Sequence, residues 1–405
     1  MGRKGLKNSS GSFGQVKFYT DSPMAPMLLI KCGMNQNPLK KLATLGQAVW
    51  LDYIRRDYIT GGGLRRMIEE DGLAGMTSNP TLFEKAIEEC RDYDEEIRTM
   101  VDQGKNETEL YSAITQHDVQ SAADEFRRLF DGTGGKSGFV SLEVNPHLAH
   151  DTEGTVDEAR RLWAALDRPN VFIKVPATIE GLPAITRLIA DGINVNVTLL
   201  FGLPRYRQVA KAFIDGIIAR IDSGKAVGGV ASVASFFLSR IDTIVDPMLE
   251  SIARERGENG KIARKLYGQT AVACAKLAYQ MYKEIFSAGA FAALAAKGAQ
   301  PQRLLWASTG AKNPRFSDIK YIEPLIGDNT INSMPLETLN AYRDHGRPRK
   351  SIELNFAQSR RVLEQLRAVG VDIDAATKRI EEEGVDKFNK SFDGLLSKIR
   401  EMKSK

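Results

Sequence analysis

Eight short apolar runs, each followed by a longer amphipathic stretch, predict an α/β protein, a (β/α)8 TIM barrel with extra C-terminal helices. Two further observations select a closed barrel over an open doubly wound sheet. The runs are apolar enough to be covered on both faces, as the strands of a parallel sheet are. No G-x-G-x-x-G follows the first run, which removes the main sign of a dinucleotide-binding fold.

Residues 1–33, rich in Gly, Ser, Lys and Met, lack periodicity and read as a disordered N-terminal extension, ahead of a single barrel domain over 34–405. The first run is Ala48–Ile54, followed by a helical pattern over Leu64–Asp71. Between them the glycine triplet Gly61–Gly63 lacks the lysine and hydroxyl residue of a phosphate-binding loop and reads as a turn. The second run, Leu73–Asn79, leads into helical patterns over Thr81–Gln103 and Leu110–Asp131. Gly138–Val144 and the helix Val156–Leu166 precede Val171–Ala177 and Gly181–Ala190. Ile193–Phe201 pairs with Leu203–Asp222, and Val230–Phe237 with Leu238–Glu255 and Ile262–Ala288. In the last of these Ile262, Leu266, Val272, Leu277, Met281 and Ile285 recur at helical spacing, with Gly289 as the stop. Leu304–Thr309 and Asn329–Met334 complete the eight, the latter followed by Pro335–Tyr342. Helices over Leu354–Val369, Asp374–Glu383 and Val385–Lys403 remain. The last carries Phe388, Phe392, Leu395, Leu396 and Ile399 on one face, which either packs plainly or leans over the barrel mouth and brings an aromatic ring to the substrate.

Composition narrows the function. Hydrophobic residues at 42% and charged residues at 26% describe a soluble globular chain. No apolar run approaches the ~18 residues of a membrane span, and the stretch near Met24–Ile30 makes no convincing signal peptide, so a cytoplasmic protein without membrane partners is expected. Of the net charge of +5, residues 1–33 hold five basic residues against Asp21 alone, so the body is nearly neutral and no nucleic acid partner is expected. Cys32, Cys90 and Cys274 are odd in number and unpatterned, as in a reducing compartment. His147 and His150 stand three apart with no third ligand evident, so no metal and no cofactor are expected. A homo-oligomer is left open.

Within VFIKVPA, Lys174 sits among Phe172, Ile173, Val175 and Pro176. Burial disfavours an ammonium ion, and a neutral amine is the nucleophile of Schiff-base chemistry; the alternative is a lysine at a strand end that snorkels to water. The residues around it weigh the choice, because barrel enzymes assemble their sites at the C-terminal ends of strands. Polar residues there are Asp52; Thr77, Ser78 and Asn79; Glu143 and Asn145; Asn194, Asn196 and Thr198; Ser232, Ser235 and Arg240; Ser308, Thr309 and Lys312; and Asn332. One buried polar strand residue is usually a satisfied structural group. So many on one barrel argue for a shared polar pocket, with Asp52 and Glu143 as proton carriers and Arg240 and Lys312 near where barrels hold phosphate.

These residues resemble the transaldolase family. GMTSNPTLFEKAI (Gly75–Ile87), SLEV (Ser141–Val144), FIKVPAT (Phe172–Thr178), GINVNVTLLF (Gly192–Phe201), VASFFLSRID (Val233–Asp242) and WASTGAKNP (Trp306–Pro314) carry the resemblance. It is strongest to the longer transaldolases, which also occur fused ahead of a glucose-6-phosphate isomerase domain, for which this chain has no room. The resemblance implies a Schiff base on Lys174, acid and base work by Glu143 through a water, and assistance at the cleaved bond by Asp52. It further implies substrate binding by Thr77, Asn79, Asn196, Thr198, Ser235, Phe237 and Ser308, with the phosphate of a sugar-phosphate substrate on Arg240 and Lys312. Lys312 stands where shorter members have arginine, and Phe236 where they have proline; lysine binds phosphate as a point charge without the guanidinium fork. The rivals are a fructose 6-phosphate aldolase on the same barrel and a catalytically silent sugar-phosphate-binding barrel.

Overall fold

Strands apolar on both faces are satisfied only when every edge is paired and both faces are covered. In this computed structural model, which describes residues 37–287 and 289–403, eight strands close on themselves. They are β1 (Gln47–Asp52), β2 (Leu73–Thr77), β3 (Phe139–Glu143), β4 (Val171–Pro176), β5 (Val195–Leu200), β6 (Ser232–Phe237), β7 (Arg303–Ala307) and β8 (Thr330–Met334). Each pairs parallel with the next, and β1 with β8 closes the ring. Helices between the strands cover the outside, and further helices follow β8. The extension and domain boundary expected at residues 1–34 lie outside the described residues.

The expected helices differ from the observed ones at three places. The pattern over Thr81–Gln103 is two helices, Pro80–Glu89 and Asp94–Asp102, joined by a 3-10 turn at Arg91–Tyr93. The break lets fully buried Tyr93 accept from Arg56 N at 3.1 Å and donate to Asp118 at 2.8 Å. The pattern over Ile262–Ala288 is likewise two helices, Glu258–Leu266 and Thr270–Ile285, parted at Gly268 with φ +69°. Residue 288 lies outside the described residues. Conversely, Asp374–Glu383 and Val385–Lys403 form one helix, Ile373–Lys403. Gly384, between the two expected segments, marks a close approach: a Cβ there would meet a Leu199 methyl at 3.1 Å and Arg240 Nη1 at 3.4 Å. Phe388, Phe392, Leu395 and Ile399 are buried, and Phe392 meets Tyr111 edge-on at 5.0 Å.

Alternation along each strand sends every second side chain into the barrel. Trp50 of β1 and Phe172 of β4 are not on neighbouring strands, yet their rings lie 6.0 Å apart, which places both inside. The Trp50 indole lies flat against Gly75 of β2, where a Cβ would meet it at 2.4 Å. Gly75→Ala is therefore expected to destabilise the fold by about 1–3 kcal/mol through overpacking. Equilibrium denaturation measures this, and an unchanged midpoint would show that the indole can yield.

Candidate active site

Register places the central pair. Lys174 on β4 stands beside Glu143 on β3, and the Lys174 Nζ donates to Glu143 Oε2 at 3.2 Å and to the Ser78 carbonyl at 2.9 Å. Their side chains are 6% and 3% exposed, so the pair is desolvated rather than snorkelling. Ser78, just past β2, is held by its own hydroxyl, which donates to Ser141 O at 2.7 Å. Asp52 ends β1 and accepts from Thr77 Oγ1 at 2.8 Å, while Thr77 shares a second hydrogen bond with Ser333 at 2.9 Å. Burial pushes both carboxyls above the ordinary carboxylate range; nearby Lys174 opposes this in each case, with Thr77 assisting at Asp52.

Above Lys174 opens a cavity of about 200 Å³, lined by Asp52, Thr77, Asn79, Thr198, Ser235 and Phe237. Arg240, Ser308 and Lys312 line its outer part. Asn79 caps the helix Pro80–Glu89, accepting from Leu82 N at 3.1 Å, which leaves its amide nitrogen for other partners. Thr198 Oγ1 is buried with no hydrogen-bond partner. Ser308 has φ +54°, a left-handed geometry rare outside glycine, and its hydroxyl meets that of Ser239 at 2.9 Å.

Two expected residues stand outside this lining. Glu143 lies beyond Lys174 and borders a separate cavity of about 30 Å³ with Tyr111 and Phe392. Asn196 stands behind Ser235, accepting from its hydroxyl at 2.6 Å and donating to Ser141 Oγ at 3.1 Å. Other polar strand residues serve structure. Asn194 bridges Pro169 O, Val171 O and Ala231 N, and Ser232 donates to Val195 O. Thr309 donates to Ser333 O, Asn332 donates to Tyr321 O, and Asn145 caps His147 N. His147 and His150 part company, pairing with Asp393 and Glu180 respectively.

The long C-terminal helix leans over the barrel mouth, the second of the two expected alternatives, with Phe388 as its aromatic residue, and it adds Lys387, which sequence reasoning did not place in the site. Lys387 and Phe388 line the cavity. The Arg240 guanidinium lies within cation–π reach of two rings, Phe237 at 5.5 Å from its centre and Phe388 at 5.8 Å. Burial holds the Arg240 pKa below its ordinary value. Burial also lowers that of Lys387, followed by the neighbouring charges of Arg240, Lys312 and Lys85. Among the described residues none of Arg240, Lys312 and Lys387 forms an ion pair. The cluster thus has the charge to take a dianion. An exposed lysine on an amphipathic helix carries no signal in sequence; only the approach at Gly384 brings Lys387 to the mouth.

The family model described as transaldolase/fructose-6-phosphate aldolase matches residues 49–399. A transaldolase of Saccharopolyspora erythraea is 46% identical over 364 residues, which is 90% of this chain and 97% of the relative. One of Frankia alni is 47% identical, covering 90% and 96%, and one of Trichodesmium erythraeum is 42% identical over 372 residues, covering 91% and 98%.

The raised pKa of Asp52 makes a stability prediction. The folded state holds this proton to higher pH than the unfolded state, so stability falls as pH rises through the window between the two pKa values. Asp52→Asn, which keeps an acceptor for Thr77, is expected to be more stable than the parent at neutral pH and equal to it below pH ~4, where both states are protonated. Denaturation midpoints of the two proteins across that range check this, and a difference independent of pH contradicts it.

Proposed function

The chain belongs to the transaldolase/fructose-6-phosphate aldolase family, and from that premise we propose how its residues carry out reversible transfer of a dihydroxyacetone unit from sedoheptulose 7-phosphate to glyceraldehyde 3-phosphate. The observation that carries the reading is the buried Lys174–Glu143 contact beneath a cavity whose mouth gathers three cations without counterions. Lys174 Nζ attacks the ketone carbon, and Glu143, through a water, carries protons to and from the carbinolamine so that its hydroxyl leaves as water. Asp52, on the cavity wall, takes the proton of the C4 hydroxyl as the C3–C4 bond breaks. The electron pair passes into the Schiff base to form an enamine, and erythrose 4-phosphate departs. The enamine attacks the aldehyde of glyceraldehyde 3-phosphate, whose oxygen recovers that proton, and hydrolysis frees Lys174 and fructose 6-phosphate.

Thr77, Asn79, Thr198 and Ser235 are assigned to substrate hydroxyls, with Asn196 holding Ser235 from behind, and Phe237 and Ser308 to the outer wall. Arg240 and Lys312, joined by Lys387, take the phosphate. The absence of a guanidinium fork at Lys312 is offset by the extra charge from the C-terminal helix. The aldolase alternative differs in releasing free dihydroxyacetone, and Glu143 favours transfer. We place the reaction in the cytoplasm as a step of the pentose phosphate pathway; among the described residues no helix is long and apolar enough to cross a membrane.

Borohydride reduction with fructose 6-phosphate should leave a three-carbon adduct visible by intact mass, absent in Lys174→Ala. An unmodified wild-type protein rules out the Schiff-base mechanism, and dihydroxyacetone accumulating without an aldehyde acceptor identifies an aldolase. Lys387→Met should raise the KM for glyceraldehyde 3-phosphate about tenfold with little change in kcat, as for one lost charge-assisted hydrogen bond. The KM for unphosphorylated glyceraldehyde should not move; an equal rise for both acceptors would remove Lys387 from the phosphate site.

A further inference from the structure

A second cavity of about 210 Å³ lies at the opposite, N-terminal end of the barrel. Its walls are Trp50, Phe139 and Phe172, with Ala231 and Val233 of the β6 end and Arg303 at the start of β7. Phe139 and Phe172 rings lie 4.4 Å apart and Trp50 meets Phe172 at 6.0 Å, so the apolar wall is aromatic and continuous. Arg303 is unusual. Its Nη1 donates to Lys136 O at 3.3 Å and its Nη2 to Thr330 O at 3.1 Å, but its Nε is buried with no hydrogen-bond partner. Among the described residues no carboxylate pairs with it and none lines the cavity. Burial pushes its pKa down to about 10.

A half-buried guanidinium without a counter-charge is costly, as is a buried donor left unpaired. An anion in the cavity would supply the missing counter-charge at the exposed part of the guanidinium. The guanidinium is planar and matches carboxylate geometry, flat rings pack well on the aromatic wall, and cavities of about 150 Å³ already hold a benzene ring. We propose that this lower cavity is a binding site for a small aromatic carboxylate, its carboxylate on Arg303 and its ring against Trp50, Phe139 and Phe172. It is distinct from the sugar-phosphate cavity. The two are nonetheless adjacent along the barrel axis: Trp50, Phe172 and Val233 stand two residues before Asp52, Lys174 and Ser235 on the same strand faces.

Titration calorimetry of the full chain with benzoate, and with benzyl alcohol as the uncharged comparison, tests the site. Saturable binding of one benzoate is expected, unchanged by saturating fructose 6-phosphate, with benzyl alcohol about tenfold weaker or more for want of the charged hydrogen bond. Arg303→Met should weaken benzoate by a similar factor. Should that variant fail to fold, Ala231→Leu keeps the guanidinium and fills the cavity, and it should abolish binding while leaving borohydride trapping at Lys174 intact. Absence of saturable binding, displacement of benzoate by fructose 6-phosphate, or equal affinity in wild type and Ala231→Leu overturns the proposal.

Discussion

Lys174 and Glu143 are ionisable partners placed where water is nearly excluded, and much of the barrel's upper half is arranged around keeping them there. A buried charge needs both an opposite charge and hydrogen bonds. Glu143 supplies the first at 3.2 Å and the Ser78 carbonyl the second at 2.9 Å. Ser78 can aim its carbonyl because its hydroxyl is tied to Ser141 O, and Ser141 in turn accepts from Asn196, which holds Ser235. β2, β3, β4, β5 and β6 are therefore linked through side chains around the amine. The apolar neighbours of Lys174 in the sequence do not surround its tip; alternation turns Ile173 and Val175 to the outer face, and the tip meets polar atoms contributed by other strands.

The cation cluster follows different physics. Arg240, Lys312 and Lys387 come from the segments after β6 and β7 and from a helix that begins about sixty residues beyond Lys312. Three like charges repel, and they remain close because each is on a separately packed element. The Arg240 guanidinium lies over the rings of Phe237 and Phe388, and Phe392, Leu395 and Ile399 dock the helix that carries Lys387. Such an arrangement is stabilised by an incoming anion and strained without one.

Asp52, Thr77, Asn79, Lys174, Ser235 and Arg240 read from the sequence as strand-end or neighbouring polar residues, and the structure gathers all six around one cavity. Counting polar strand residues as site residues was less secure. Asn194, Ser232 and Asn332 are of the same residue types, yet their hydrogen bonds tie backbone and loops together. Residue type alone does not separate the two, because both groups satisfy the same rule that buried polar atoms must be paired. Gly384, which falls between two expected helices, is the point at which the single observed helix approaches Leu199 and Arg240. Lys387 left no trace because its role depends on where a helix docks.

The sequence by itself determined the alternation of strand and helix, hence the closed parallel barrel, and the residue that carries the amine, because these depend on local periodicity and on the chemistry of single side chains. Only the tertiary structure decided which carboxylate touches that amine, that Asn196 stands behind Ser235, that the last helix completes the cation cluster, and that Arg303 is half-buried beside an aromatic cavity without a counter-charge. Each of these is a distance between residues far apart in the chain, and periodicity holds no information about such distances.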